Sequence, residues 1–164
     1  MAYSQPIADM LREFFAVSGI HADFEEKPTC GVFTLRMKLR CRLPTAQMLV
    51  LVREDNFSTL TTIPLAADEN SRLAVAEYLT RVNFNMRSGN FELNMDTGEI
   101  RFKTYVHVGA GAPDLSAARL AVTLPFFMFD RFGDGLLEVL FGFKSPREAF
   151  EAVQGPKKTA SLLT

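Results

Sequence analysis

Between Tyr78 and Val108 the chain passes from helical periodicity into a tight hairpin. That passage limits the fold more than any other stretch. A helical pattern ends in Arg81-Val82-Asn83-Phe84-Asn85 and is followed by Gly89. Phe91, Leu93 and Met95 then alternate with Glu92 and Asn94, the signature of a half-buried strand. Asp96-Thr97-Gly98 supplies the turn, with Gly98 free to take positive φ. The return strand sets Ile100, Phe102, Thr104, Val106 and Val108 on one side and Glu99, Arg101, Lys103, Tyr105 and His107 on the other. A hairpin fed by a helix demands an antiparallel sheet with helical cover.

The flanking sequence extends this scheme. Ile7, Met10, Leu11, Phe14 and Phe15 form one helical stripe, with Ser4 as cap, Pro6 in the first turn and Gly19 as terminator. His21 to Glu26 reads as a short strand, and Pro28 to Gly31 as a turn. Phe33, Leu35, Met37, Leu39 and Cys41 alternate with Thr34, Arg36, Lys38, Arg40 and Arg42, predicting a strand up to Pro44 with Cys41 on its buried face. Met48 to Val52 is continuously apolar, so a strand buried on both faces is expected. Asp55-Asn56 turns the chain into a strand from Phe57 to Ile63, ended by Pro64.

Helical patterns account for much of the rest. One runs from near Asp68 to near Asn85, with Leu73, Ala76, Leu79 and Val82 along one face and Val75 and Tyr78 beside it. Gly109 to Pro113 reads as a flexible loop; its Gly-Ala-Gly-Ala lacks the ending of a phosphate loop. Asp114 caps a helix through Leu124, which Pro125 is expected to kink or interrupt. Gly133 and Gly135 allow a second break before Leu136 to Phe141. Ser145-Pro146-Arg147-Glu148 is a capping box opening a last short helix. Residues 156–164 are expected to fray from a single domain of residues 1–155.

The expected fold class is therefore α+β. It has two layers, an antiparallel sheet of five or six strands, and helices mainly on one face. With 48% hydrophobic residues and 15 Phe, the chain can close such a core without disulfide or metal. Cys30 and Cys41 are the only cysteines and read as reduced thiols. No cofactor, metal site or catalytic residue is predicted, because no nucleophile set, ligand spacing or phosphate loop is present. His21 and His107 have no ligand-spaced companions and read as strand-edge residues. Met1 to Gln5 carries no Lys or Arg, and no apolar run reaches the roughly 20 residues of a bilayer span, so a cytoplasmic, membrane-free protein is expected. Charge is nearly balanced, 18 basic against 19 acidic, which gives no global attraction to nucleic acid.

Three segments in combination carry a family resemblance. They are Tyr78-Leu79-Thr80-Arg81-Val82-Asn83, Gly89-Asn90-Phe91-Glu92-Leu93, and Asp96 to Lys103 with its Asp-Thr-Gly turn. The Ser145 to Ala149 cap, following a helix rich in Phe and Leu, agrees with them. Over roughly residues 7–153 the chain resembles the YbjN-like family, whose fold is that of the type III secretion chaperones. The resemblance implies a non-enzymatic module linked to bacterial sensory or stress regulation. It also implies a homodimer that holds extended segments of a protein client. It transfers no catalytic residue.

Two surfaces are candidates for such work. Arg36, Lys38, Arg40 and Arg42 would stand about 7 Å apart on one strand face. They are either neutralised by acids such as Glu25, Glu26, Glu54 or Glu92, or they bind an acidic peptide. Phe33 points to the opposite face, which disfavours nucleic acid as the partner. Phe126, Phe127, Phe129 and Phe132 are denser than one core face needs and are candidates for self-association. Asp130 and Asp134 are read as caps in a local ion pair with Arg131. The expected function is protein binding through a sheet edge or an apolar groove. The alternative is a small-ligand sensor with a pocket lined by Phe and Met between helices and sheet.

Overall fold

The computed structural model describes residues 3–84, 86–109 and 114–155. The expected loop at 110–113, Asn85 and the tail 156–164 lie outside the described residues. The chain runs α1 (Gln5–Val17), β1 (Asp23–Lys27), β2 (Cys30–Lys38), β3 (Thr45–Val52), β4 (Asn56–Ala66), α2 (Arg72–Asn83), β5 (Asn90–Leu93), β6 (Glu99–His107), α3 (Leu115–Leu140) and α4 (Pro146–Gln154). The strands form one antiparallel sheet in the order β1-β2-β3-β4-β6-β5. This is the expected two-layer α+β architecture.

The helices cover one face. Phe15 of α1 packs edge-on against Phe33 of β2, with ring centroids 5.3 Å apart. Phe91 of β5 meets Phe129 and Phe132 of α3. Fully buried Phe33, Phe57, Phe102, Phe129, Leu11 and Met48 make a continuous core between the layers. Each such side chain contributes about 1.5–3 kcal/mol of burial energy. The α4 helix opens with the complete capping box: Ser145 Oγ accepts from the Glu148 amide, and Glu148 accepts from the Ser145 amide.

Several expectations need correction. The strand expected to reach Cys41 stops at Lys38, because residues 39–44 turn back towards α3. Cys41 is therefore a half-buried loop residue. The β3 strand is not buried on both faces: Leu49 and Leu51 are only half-buried on the helix-free face. Pro64 does not end β4; the strand continues to Ala66, with a register irregularity between Thr62 and Ala66 that accommodates a residue lacking a ladder donor. In α2 the buried residues are Val75, Tyr78, Leu79 and Val82, while Leu73 faces solvent.

The largest correction concerns α3. Neither Pro125 nor the glycines interrupt it, and it runs 26 residues from the Asp114 cap. Pro125 removes the donor that Ala121's carbonyl would use in a helix. Two sheet hydroxyls approach that carbonyl instead, Thr104 at 3.1 Å and Thr59 at 3.4 Å. The glycines are contact points rather than breaks. A Cβ on Gly133 would lie 2.8 Å from Leu43, and one on Gly135 2.4 Å from the Tyr78 hydroxyl. Removing two Cβ atoms lets α3 approach α2 and the loop at 39–44 closely.

Candidate functional site

The structure separates the four predicted cations. Arg36 and Lys38 remain on the open face of β2, where their cross-strand partners are Gln47 and Thr45. Neither has an ion-pair partner among the described residues. Arg40 and Arg42 lie in the loop, and their backbone amides donate to α3. Asp130 Oδ1 accepts from the amides of Arg40 and Cys41, and Asp134 Oδ1 accepts from that of Arg42 at 2.8 Å. The Arg42 guanidinium also bonds Glu138 Oε1 at 3.0 Å. Asp130 and Asp134 thus clamp the loop to α3, in place of the expected pair with Arg131. Arg131 instead stacks over the ring of Phe132, 5.2 Å from its centroid. Of the acids named for the basic face, Glu25 pairs with Lys27, Glu26 accepts from the Tyr3 hydroxyl, and Glu92 pairs with Arg101 at 2.6 Å.

Of the four candidate self-association residues, Phe126, Phe129 and Phe132 are core, at 6%, 0% and 6% exposure. Phe127 alone of the four faces solvent, 60% exposed.

One feature absent from the sequence-level candidates is the free edge of β6. The hairpin register sets Asn90 opposite Lys103, so Gly89 would face Thr104. There the chain leaves the sheet. Gly89 adopts φ +68, and a Cβ on it would lie 2.5 Å from the Phe102 ring and 2.8 Å from the Lys103 carbonyl oxygen. Only glycine can make this exit. The β5 strand therefore has 4 residues and β6 has 9.

Beyond Lys103, β6 is paired on one side only. The Val108 amide donates to Asp55 on the β4 side, and Glu99 accepts from Asn94 on the β5 side. Strand alternation then directs the N–H and C=O of Tyr105 and His107 away from β4, past the end of β5. Neither residue's backbone has another backbone or side-chain partner among the described residues there. The other edges are blunted. Asn83 clamps β5, its Oδ1 accepting from the Phe91 amide and its Nδ2 donating to the Phe91 carbonyl, both at 2.8 Å. At the far end β1 carries Asp23, Glu25, Glu26 and Lys27, charges that discourage strand addition.

Beside the β6 edge lies a cleft of about 500 Å3. Its floor and walls include Val106, Ala117, Leu120 and Leu124, with Arg87 and Lys103 at the rim. Leu120 is 52% exposed although it sits on a core helix. A strand added to Tyr105–His107 would point alternate side chains between the edge and Leu120. The Asp-Thr-Gly turn sets the register in the sequence, but the contacts that turn Gly89 out of the sheet appear only in the fold.

The titratable groups are mostly structural. Burial pushes the Tyr78 phenol far above its ordinary value, and its hydroxyl donates to the Phe132 carbonyl at 2.9 Å. Burial likewise raises the Cys41 thiol. His21 lies 3.4 Å from Asp23 and His107 3.8 Å from Asp55, all exposed. Among the described residues no group of three His, Cys, Asp or Glu is placed to hold a metal, and no helix is long and apolar enough to cross a membrane. A scan against protein-family models matches none, and a search of the curated proteins finds no match.

Proposed function

We propose that this chain is a non-enzymatic protein-interaction module, chaperone-like or regulatory, that takes an extended protein segment along the free edge of β6. The observation that carries the reading is the overhang of Tyr105–His107 past β5, beside an apolar cleft. Unpaired strand edges bind extended chains through main-chain hydrogen bonds, with adjacent pockets selecting side chains. The YbjN-like resemblance supports a bacterial protein of this kind. Self-association would centre on Phe127, the one solvent-facing member of the predicted set.

The test is a peptide selection against the whole protein, followed by affinity measurement on edge variants. Tyr105→Pro removes an N–H that points away from β4, so the β4 ladder is kept. Tyr105→Ala controls for loss of the ring. Selected peptides are expected to bind Tyr105→Pro about tenfold more weakly than Tyr105→Ala, the scale of one lost hydrogen bond. Equal affinities for the two variants would remove the edge from the mechanism.

A second reading is a small-ligand sensor. The cleft volume of about 500 Å3 lies within the range of small-molecule sites, roughly 300–1,000 Å3. Because Tyr105 lines the cleft, a ligand seated there would respond alike to Tyr105→Pro and Tyr105→Ala and be lost on Leu120→Arg.

A further inference from the structure

We infer that the segment held at this edge is acidic and apolar in alternation, an inference that rests on the edge-binding reading above. The cleft beside β6 does not end at Leu124. A second cleft of about 440 Å3 continues from it to Gln154 at the end of α4. The two share Arg87, Ser88, Leu120 and Leu124, so they form one trough along α3. The second half is floored by Met86, Met128 and Phe132.

The charge along this trough has one sign. Arg87 and Lys103 line the first half, Arg87 and Arg131 the second, and no Asp or Glu lines either. In a chain with 19 acids and 18 bases, that is a local bias. The arginines are also uncommitted. Arg87 and Arg131 make no ion pair among the described residues, and Arg131 is held only over the Phe132 ring. Lys103 is partly engaged, 3.7 Å from Glu92. A guanidinium with no carboxylate beside it, on the rim of an apolar trough, matches a carboxylate arriving on a ligand. An extended chain presents side chains alternately to its two sides, so every second residue would enter the trough and the intervening ones would reach the rim.

The probes are four blocked octapeptides. One alternates Val and Asp; one alternates Val and Asn; the other two are the same sequences with alternate backbone amides methylated. Binding to the full chain is read by fluorescence anisotropy at low and high salt. The Val/Asp peptide is expected to bind at least about tenfold tighter than Val/Asn at low salt, with the advantage shrinking as salt rises. It should also vanish in the Arg87→Gln, Arg131→Gln double variant, whose unchanged melting temperature would show that the fold is kept. If Val/Asn binds as tightly as Val/Asp while methylation weakens both, the charge inference falls and the edge reading stands. If methylation changes nothing, or neither unmethylated peptide binds, the edge reading fails and takes this inference with it.

Discussion

The Thr104 hydroxyl donates to the Ala121 carbonyl, the acceptor that Pro125 leaves without a helical partner. The contact is 3.1 Å long and fully inside the protein. Thr59 Oγ1 lies 2.7 Å from Thr104 Oγ1, so a two-hydroxyl chain leads from β4 through β6 into the helix. Each hydroxyl has one proton. Thr59 donating to Thr104, and Thr104 to Ala121, satisfies both. A proline defect in α3 and two polar residues in the sheet core are one device.

This device makes the first prediction. Thr104→Val should cost about 1 kcal/mol, because it leaves the Ala121 carbonyl only the longer contact from Thr59, at 3.4 Å. In a Pro125→Ala background the carbonyl regains a helical donor, and the cost should shrink. A double-mutant cycle by urea denaturation measures the difference. Equal costs in the two backgrounds would separate the threonine from the proline.

Gly135 carries the second. A Cβ there would sit 2.4 Å from the Tyr78 hydroxyl. Gly135→Ala should therefore destabilise by about 1–3 kcal/mol despite alanine's better helix propensity. Removing the hydroxyl with Tyr78→Phe should relieve much of that strain, although Tyr78→Phe alone forfeits the bond to Phe132. Additive effects of the two substitutions would mean that the close approach is not what excludes a side chain.

The third concerns the loop at 39–44. Asp130 Oδ1 accepts from two amides, those of Arg40 and Cys41. Asp130→Ala should speed hydrogen exchange at both and raise the labelling rate of the half-buried Cys41 thiol. Asp130→Asn, which keeps an acceptor oxygen, should resemble the parent. Identical exchange in Asp130→Ala and the parent would leave the clamp without a role.

The fourth is pH dependence. Burial pushes Glu92 up, but the hydrogen bond and attraction of Arg101 outweigh it, and the carboxyl lies below its ordinary range. The hydrogen bond from Lys144 lowers Glu138, and the Ser145 amide and hydroxyl lower Glu148. Groups depressed in the folded state contribute stability above their unfolded values, near 4.3 for Glu. That contribution is lost as pH falls through the lower folded values. The urea midpoint should thus hold near neutrality and drop as pH falls below about 4. Glu92→Gln should lower the midpoint at pH 7 and make little difference at pH 3. A Glu92→Gln effect of the same size at both pH values would contradict the assignment.

Elements whose pattern depends on near neighbours were legible without a fold. Ser4, Ser145 and Asp114 cap the helices expected of them, because a cap bonds amides two or three residues away. The Asp-Thr-Gly hairpin and the antiparallel class followed from turn chemistry and alternation. What failed were inferences about residues whose partners lie far along the chain. Pro125 reads as a break until Thr104 appears beside Ala121. Gly133 and Gly135 read as hinges until Leu43 and Tyr78 appear against them. Arg40 and Arg42 read as strand residues until Asp130 and Asp134 draw their amides onto α3.

The sequence by itself therefore determined the inventory: which stretches are helical, which alternate, and where the tight turns fall. These are set by steric and hydrogen-bonding preferences acting over a few residues. Only the tertiary structure decided how far each element runs and which surface is left over. Strand β6 outlasts β5 because Gly89 must clear the Phe102 ring and the Lys103 carbonyl. Excluded volume between residues brought together by folding created that open edge, and no local pattern encodes it.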